Sequence, residues 1–188
     1  MARWTPGARD RLQAAAFDVI RARGFDAVTV AEIAEAAGVT ERTFFRHFAD
    51  KREVLFDGQS TFVTAVAEAV AAAPARHDAV AAVRHGFDAA AEMFPDERRP
   101  RSRARGAIIA ADEGLSEREA QKMRSLAVSI AAALDGRGLP EPEASLVARA
   151  AVGVFEVAFA AWIAEGETRG LREIQTSLFD RLGALLAG

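Results

Sequence analysis

Four cations stand within eleven residues of this chain, Arg42, Arg46, Lys51 and Arg52, against one carboxylate, Asp50. Cations at that density suit phosphate, and a guanidinium suits a guanine edge, which it can bond bidentately. On a helix stepping about 100° per residue, Arg42, Phe45 and Arg46 share one side. Phe44 and Phe48 take the opposite side, and Thr43 and His47 lie along one flank. The outer side could bond a base through Arg42 and touch a thymine methyl through Thr43 or Phe45. Thr29, Thr43, His47 and Lys51 fall where helix N-termini would meet phosphates, with backbone amides beside them. A small helical hairpin with a solvated basic face is the alternative for each residue alone; the joint pattern favours a groove reader.

Such side chains need elements that hold them. Thr29 followed by Glu32 forms a capping box that opens a helix through about Ala37, with Val30, Ile33, Ala34 and Ala37 inward. Gly38 stops that helix. Thr40 caps the next, of about seven residues, whose Phe44 and Phe48 should plug a core made with Ile33 and Val19. An earlier helix, 7–23, carries the stripe Leu12, Ala15, Ala16, Val19 and Ile20 and ends at Gly24. Asp50 with Glu53 is expected to cap a fourth helix running from about Lys51 towards Ala73.

The rest also reads as helix, without alternating strand pattern, so the fold class is all-α. Helices are expected at 76–94, 101–111, 116–134 (with Ser116 and Glu119 as a capping box), 141–165 and 170–186. Pro and Gly punctuate them. Residues 1–56 form an expected helix-turn-helix domain and 57–188 a helical body, with a continuous helix across the boundary. Charge divides accordingly: nine Lys/Arg against eight Asp/Glu up to residue 56, and fifteen against nineteen beyond it. A basic tip on an acidic body binds phosphate locally and discourages indiscriminate association. The arginines at 98, 99, 101, 103 and 105 are expected to make a solvated helix start, with an anionic effector or acidic partner as the other reading.

No cysteine is present, which removes disulfides, thiol catalysis and thiolate metal sites. There is no glycine-rich phosphate loop, HExxH or nucleophile elbow, so neither catalysis, a cofactor nor a metal is expected. The longest uncharged stretches, such as Ser125 to Leu134, are short of the roughly 18 residues of a spanning helix. Arg3, Arg9 and Arg11 are followed by Asp18 and Arg21, which interrupt any leader-like apolar run. The expected location is cytoplasmic, away from the membrane.

The segment resembles the N-terminal domain of the TetR family, the tetracycline-repressor-like regulators. The resemblance rests on Arg23-Gly24-Phe25, on Thr-x-x-x-Ile-Ala-x-x-Ala-Gly-Val from Thr29 to Val39, and on Thr43, Phe45, Phe48 and Lys51. It covers about 50 residues closely; the remainder matches in being helical and of suitable length. It implies base contacts from Glu41, Arg42, Thr43 and Phe45, and phosphate contacts from Thr29, Thr40, His47 and Lys51. The family commonly has tyrosine where this chain has Phe45, and this chain has no tyrosine at all. Contact there is therefore apolar.

The resemblance further implies a dimer through the last two helices, reading a palindromic operator in double-stranded DNA, and release by a small-molecule effector. The sequence itself supports a homodimer, because helix 141–165 is apolar nearly all round, with only Arg149 and Glu156 marking a polar stripe. Phe87, Met93, Phe94, Phe155, Phe159 and Trp162 could line an effector cavity with His85, Glu92 or Glu156 as polar anchors. The other reading of each is an ordinary core or dimer residue. The alternative function is a DNA-binding regulator without a small ligand, its body serving dimerisation or protein recruitment.

Overall fold

The computed structural model describes residues 7–187, and among them every regular element is helical. Residues 1–6, which hold Arg3, lie outside the described residues. The chain divides into two compact units. The first runs to Gly58 and takes in Ala104–Glu117; the second comprises Gln59–Arg103 and Arg118 onward. The expected division at residue 56 thus has a counterpart at Gly58, but 104–117 packs with the first unit although it belongs to the expected 57–188 body.

In the first unit, α1 (Ala8–Arg23), α2 (Val30–Ala36) and α3 (Glu41–His47) pack pairwise. Their apolar faces meet in one core, with Leu12, Ala16, Ile20, Ile33 and Phe44 essentially without exposure and Phe48 buried beside them. Val54, Leu55, Ile109 and Leu115 complete it. Gly38, at φ 66°, makes the turn between α2 and α3 in the left-handed region that L side chains avoid.

The expected helix from Lys51 to Ala73 is not continuous. Asp50 does accept from the Glu53 amide at 2.8 Å, but the segment it caps is a single 3-10 turn, Glu53–Phe56. Two features end it. Asp57 is extended and engaged by the Arg9 guanidinium at 3.0 and 3.1 Å, and Gly58 has φ 82°. α4 (Gln59–Ala71) begins only after that.

The second unit contains α4, α5 (Ala79–Ala90), the first part of α6 (Arg99–Ala110), most of α7 (Glu113–Asp135), α8 (Glu143–Trp162) and α9 (Leu171–Ala187). α4 and α5 lie close enough that a Cβ on Gly86 would stand 2.5 Å from Val70 Cγ2 and 3.0 Å from the Val66 carbonyl. α7 starts at Glu113, ahead of the expected Ser116. Asp112 caps it by accepting from the Leu115 amide at 2.8 Å, while the Ser116 hydroxyl donates back to the Ile109 carbonyl.

α8 is long and apolar enough to cross a membrane by length and mean hydropathy alone, 1.6 over its window. Ala144, Ala148, Ala151, Val154, Phe155, Ala158 and Trp162 are nevertheless buried in its own domain, as in the core helix of a bundle. Of the arginines before and within α6, Arg98, Arg101 and Arg103 are exposed as expected, but Arg99 is buried and most of the set is engaged by backbone carbonyls. Arg98 bonds the Met93 carbonyl, Arg99 those of Glu167 and Arg169, Arg103 those of Ile163 and Ala164, and Arg105 that of Leu55. Helix ends leave carbonyls without partners, and Arg99 and Arg103 supply donors at the end of α8 and the turn after it.

Candidate nucleic-acid interface

The reading helix is set by its caps. Thr40 Oγ1 accepts from the Thr43 amide at 3.2 Å and lies 3.1 Å from Thr43 Oγ1, so both hydroxyls are engaged at the start of α3. At the start of α2 the capping box is complete. Thr29 Oγ1 accepts from the Glu32 amide, and Glu32 Oε2 accepts from the Thr29 amide at 2.7 Å. Arg23, from the end of α1, bonds Glu32 Oε1 at 2.6 Å and the Ala27 carbonyl at 2.8 Å. These bonds hold the Glu32 carboxyl down to about 2, the Thr29 amide first, then Arg23 and the Thr29 hydroxyl.

Phe44 and Phe48 point into the core with ring centres 5.5 Å apart. That rotation puts Glu41, Arg42, Phe45 and Arg46 outside, all exposed, with Thr43 and His47 half-buried on the flank. Phe45 retains 54% exposure, and its ring meets Phe44 edge-on at 5.5 Å and 81°. Of the side chains expected to face bases, Glu41, Arg42 and Phe45 thus stand exposed on α3, and Thr43 lies on its flank. Those expected at phosphates divide: Thr29 and Thr40 sit at two helix starts, exposed, and His47 lies at the end of α3.

Lys51, expected at a phosphate, has its ammonium engaged within the first unit. Its ammonium donates to the carbonyls of Phe25 at 2.6 Å and Val28 at 2.8 Å, and lies 4.1 Å from the centre of the Phe25 ring. Arg9 acts similarly, bridging to Asp57 and stacking over Phe48 at 5.0 Å. Arg11 reaches the Ala37 carbonyl at the end of α2. The sequence gives little warning of these locks, because each joins residues some 23 to 48 positions apart.

The residues expected to line an effector cavity fall into two places. Phe87, Phe155, Phe159 and Trp162 come together with Phe62 and Phe94, neighbouring ring centres lying 5.0 to 6.3 Å apart. Met93 packs half-buried against the same core. Phe62 was missed by the sequence reading, although its spacing to Val66 and Val70 marks the buried face of α4. The Trp162 indole donates to Asp96 at 3.2 Å, and the buried Arg99 pairs with the same carboxylate and lies over the indole at 5.4 Å. Both bonds, Arg99 first, hold the Asp96 carboxyl below its usual range. His85 is elsewhere: exposed on α5, its ring 5.9 Å from His77. Two residues before Phe87 on a helix is about 200° round, which turns it away from the buried face.

Comparison with known proteins agrees with this architecture. Residues 12–57 match the model of bacterial regulatory proteins of the tetR family, and 77–187 match the MftR C-terminal domain. The HTH-type transcriptional regulator TcmR of Streptomyces glaucescens is 40% identical over 81 residues, 43% of this chain and 36% of that protein, so the match spans about a third of the relative. The crystal structure of Thermus thermophilus FadR, a TetR-family transcriptional repressor in complex with lauroyl-CoA, aligns with TM-score 0.56 and 24% identity, over 93% of this chain and 92% of that one. The fatty acid degradation regulator FadR of Bacillus halodurans aligns with TM-score 0.57 and 17% identity over 96% of each. With both domain models matched along its length, the chain belongs to the TetR family of bacterial regulatory proteins.

Proposed function

We propose that this protein is a cytoplasmic transcriptional repressor that binds a palindromic operator as a homodimer and is released by a small apolar effector. The observation that carries the DNA-binding part is the outer face of α3, where Arg42, Phe45 and Arg46 stand exposed while Phe44 and Phe48 anchor the helix. Arg42 and Glu41 would face base edges with Thr43 and Phe45; Thr29, Thr40, Arg46 and His47 would meet phosphate or flank it.

The dimer is supported by α8 and α9. Leu146, Ala150, Gly153, Val157 and Ala160 recur every three or four residues on α8, and Leu146 and Val157 are 70% and 57% exposed. Gly153 lies in the middle of this stripe, and a Cβ added there meets nothing. Glycine costs a helix interior about 1 kcal/mol relative to alanine, and the protomer gives no steric reason for it. A second helix crossing there would. Gly183 on α9 is equally open. A dimer would set two α3 helices about 34–36 Å apart, one turn of duplex.

The effector reading is supported by the aromatic cluster around Phe87, Phe155, Phe159 and Trp162, and by the neighbour that holds lauroyl-CoA. An apolar or planar aromatic effector is the class this lining suits. One observation favours the alternative of a body that only dimerises: these rings fill the space by packing on each other.

The test is a gel shift on the DNA upstream of the protein's own gene, with excess non-specific competitor, repeated with lauroyl-CoA and with planar aromatic compounds. A competitor-resistant complex dissolved by one of these ligands is expected. No such complex on any upstream DNA would overturn the regulator; a complex that no ligand disturbs would favour the ligand-free alternative.

A further inference from the structure

We propose that Gln175 is the polar anchor of the effector site, and that the effector is an aromatic molecule carrying a hydroxyl group. The inference rests on the effector reading above and names the chemistry that the site recognises.

α9 turns one stripe inward, Leu171, Ile174, Gln175 and Phe179, and Gln175 is its polar member at 1% exposure. Among the described residues one other polar side chain is buried, that of Arg99, and it bonds Asp96 and the carbonyls of Glu167 and Arg169. Gln175 Oε1, by contrast, has no hydrogen-bond partner. The other buried atoms of this kind, on Gln59 and His77, belong to half-buried residues near helix starts. A buried acceptor left without a donor destabilises a fold, which is why nearly all such atoms are paired. Leucine would suit this stripe better at equal helix propensity. A partner from outside the chain gives the amide its reason.

The place of Gln175 defines that partner. Arg172 bonds the Asp88 carbonyl and Glu92, and Arg84 pairs with Asp180 at 2.7 Å. α9 therefore runs antiparallel to α5, with Gln175 level with Phe87. One turn further on, the Phe179 ring lies 6.4 Å from that of Phe87, which stacks on Phe155 at 5.4 Å and 18°. The amide thus stands at the level of the aromatic cluster. The indole of Trp162 in that cluster already donates to Asp96. A planar aromatic ligand matches the rings, and a hydroxyl matches the amide, because it can donate to Oε1 and accept from Nε2. A carbonyl or ether group would leave Oε1 without a donor.

The test compares 2-naphthol with 2-methylnaphthalene, which has the same shape and a methyl in place of the hydroxyl. Equilibrium dialysis measures both against full-length wild type, Gln175→Leu and the unbranched Gln175→Met. Wild type should prefer 2-naphthol by about tenfold, the factor that one hydrogen bond to a buried partner confers. Both variants should bind the two probes alike and, without ligand, melt at a higher temperature than wild type. The proposal falls if wild type binds the probes equally or binds neither, if the preference survives in the variants, or if both variants melt lower. A gel shift with lauroyl-CoA separates the two readings: release of DNA by that ligand leaves the effector reading standing when the anchor fails, and DNA that no ligand releases removes both.

Discussion

Lys51 fastens the loop before α2: its ammonium bonds the Phe25 carbonyl at 2.6 Å while lying 4.1 Å from the centre of the ring of the same residue. With Val28 as a second acceptor, one side chain satisfies the loop that leads from α1 into the capping box. A charge-assisted hydrogen bond contributes about 1.5–3 kcal/mol, and a cation over a ring about 0.5–1. Lys51→Met keeps the stem and removes the charge. Its expected effect is a loss of about 2 kcal/mol in unfolding free energy, read by urea denaturation, before any DNA is added. Full stability in that variant would show that the ammonium is not structural.

Arg42 makes the opposite case. It is exposed at the start of α3, so Arg42→Ala should leave the urea midpoint in place. Affinity for a site selected from randomised double-stranded DNA should fall by about 1–3 kcal/mol, and the preference at one base pair should relax. Titration by fluorescence anisotropy on the selected site and on a variant of that base pair separates the two effects. Equal loss on both sequences would assign Arg42 to phosphate instead.

The box at α2 should respond to acid. Glu32 titrates at about 2 in the folded protein, held there by the Thr29 amide and then by Arg23. A free glutamate titrates near 4.3. Because the folded value is the lower one, the ionised carboxyl stabilises the fold fully above the unfolded value, and that contribution is lost as pH falls from about 5 towards 2. Glu32→Gln should flatten the acid limb of a stability-versus-pH curve and change little in shape near neutrality. A carboxyl resonance titrating near 4.3 in the native protein would sink this account.

Much of the first unit was legible because its signals are local. Thr29 and Glu32 are three residues apart, Phe44 and Phe48 four, and both relations survive intact. What was not legible depends on partners distant in sequence. Asp50 looked like the cap of a long helix, and only the Arg9 contact with Asp57 together with Gly58 shows why it caps one turn. The α6 arginines read as solvated for the same reason: the carbonyls they satisfy lie 50 to 70 residues away. His85 and Phe87 looked like neighbours in one site, yet helical geometry sends them to different faces.

Gly86 measures how closely α4 and α5 approach. Its added Cβ would collide with Val70 Cγ2 at 2.5 Å, and the next obstacle, the Val66 carbonyl, is backbone that cannot turn aside. Gly86→Ala gains helix propensity of about 1 kcal/mol, but overpacking a tight core typically costs about 1–3. The expected result is a net loss in thermal stability, despite a substitution that favours helix. A stabilised variant would mean that the two helices separate more easily than their packing suggests.

Gly153 provides the corresponding test between molecules. In the protomer its Cβ position is open, so Gly153→Leu should fold and even gain helix propensity of about 1 kcal/mol. If a second α8 crosses at this point, a leucine side chain occupies the space that the partner's backbone needs. Sedimentation at micromolar concentration should then show the variant as a monomer and the wild type as a dimer, with helical circular dichroism unchanged in the variant. Its melting temperature should cease to depend on protein concentration, which separates a lost interface from a damaged fold. Operator affinity should fall as well, since two α3 helices would no longer be held one duplex turn apart. A variant that remains dimeric would move the interface off this stripe of α8 and leave Gly153 without a structural reason.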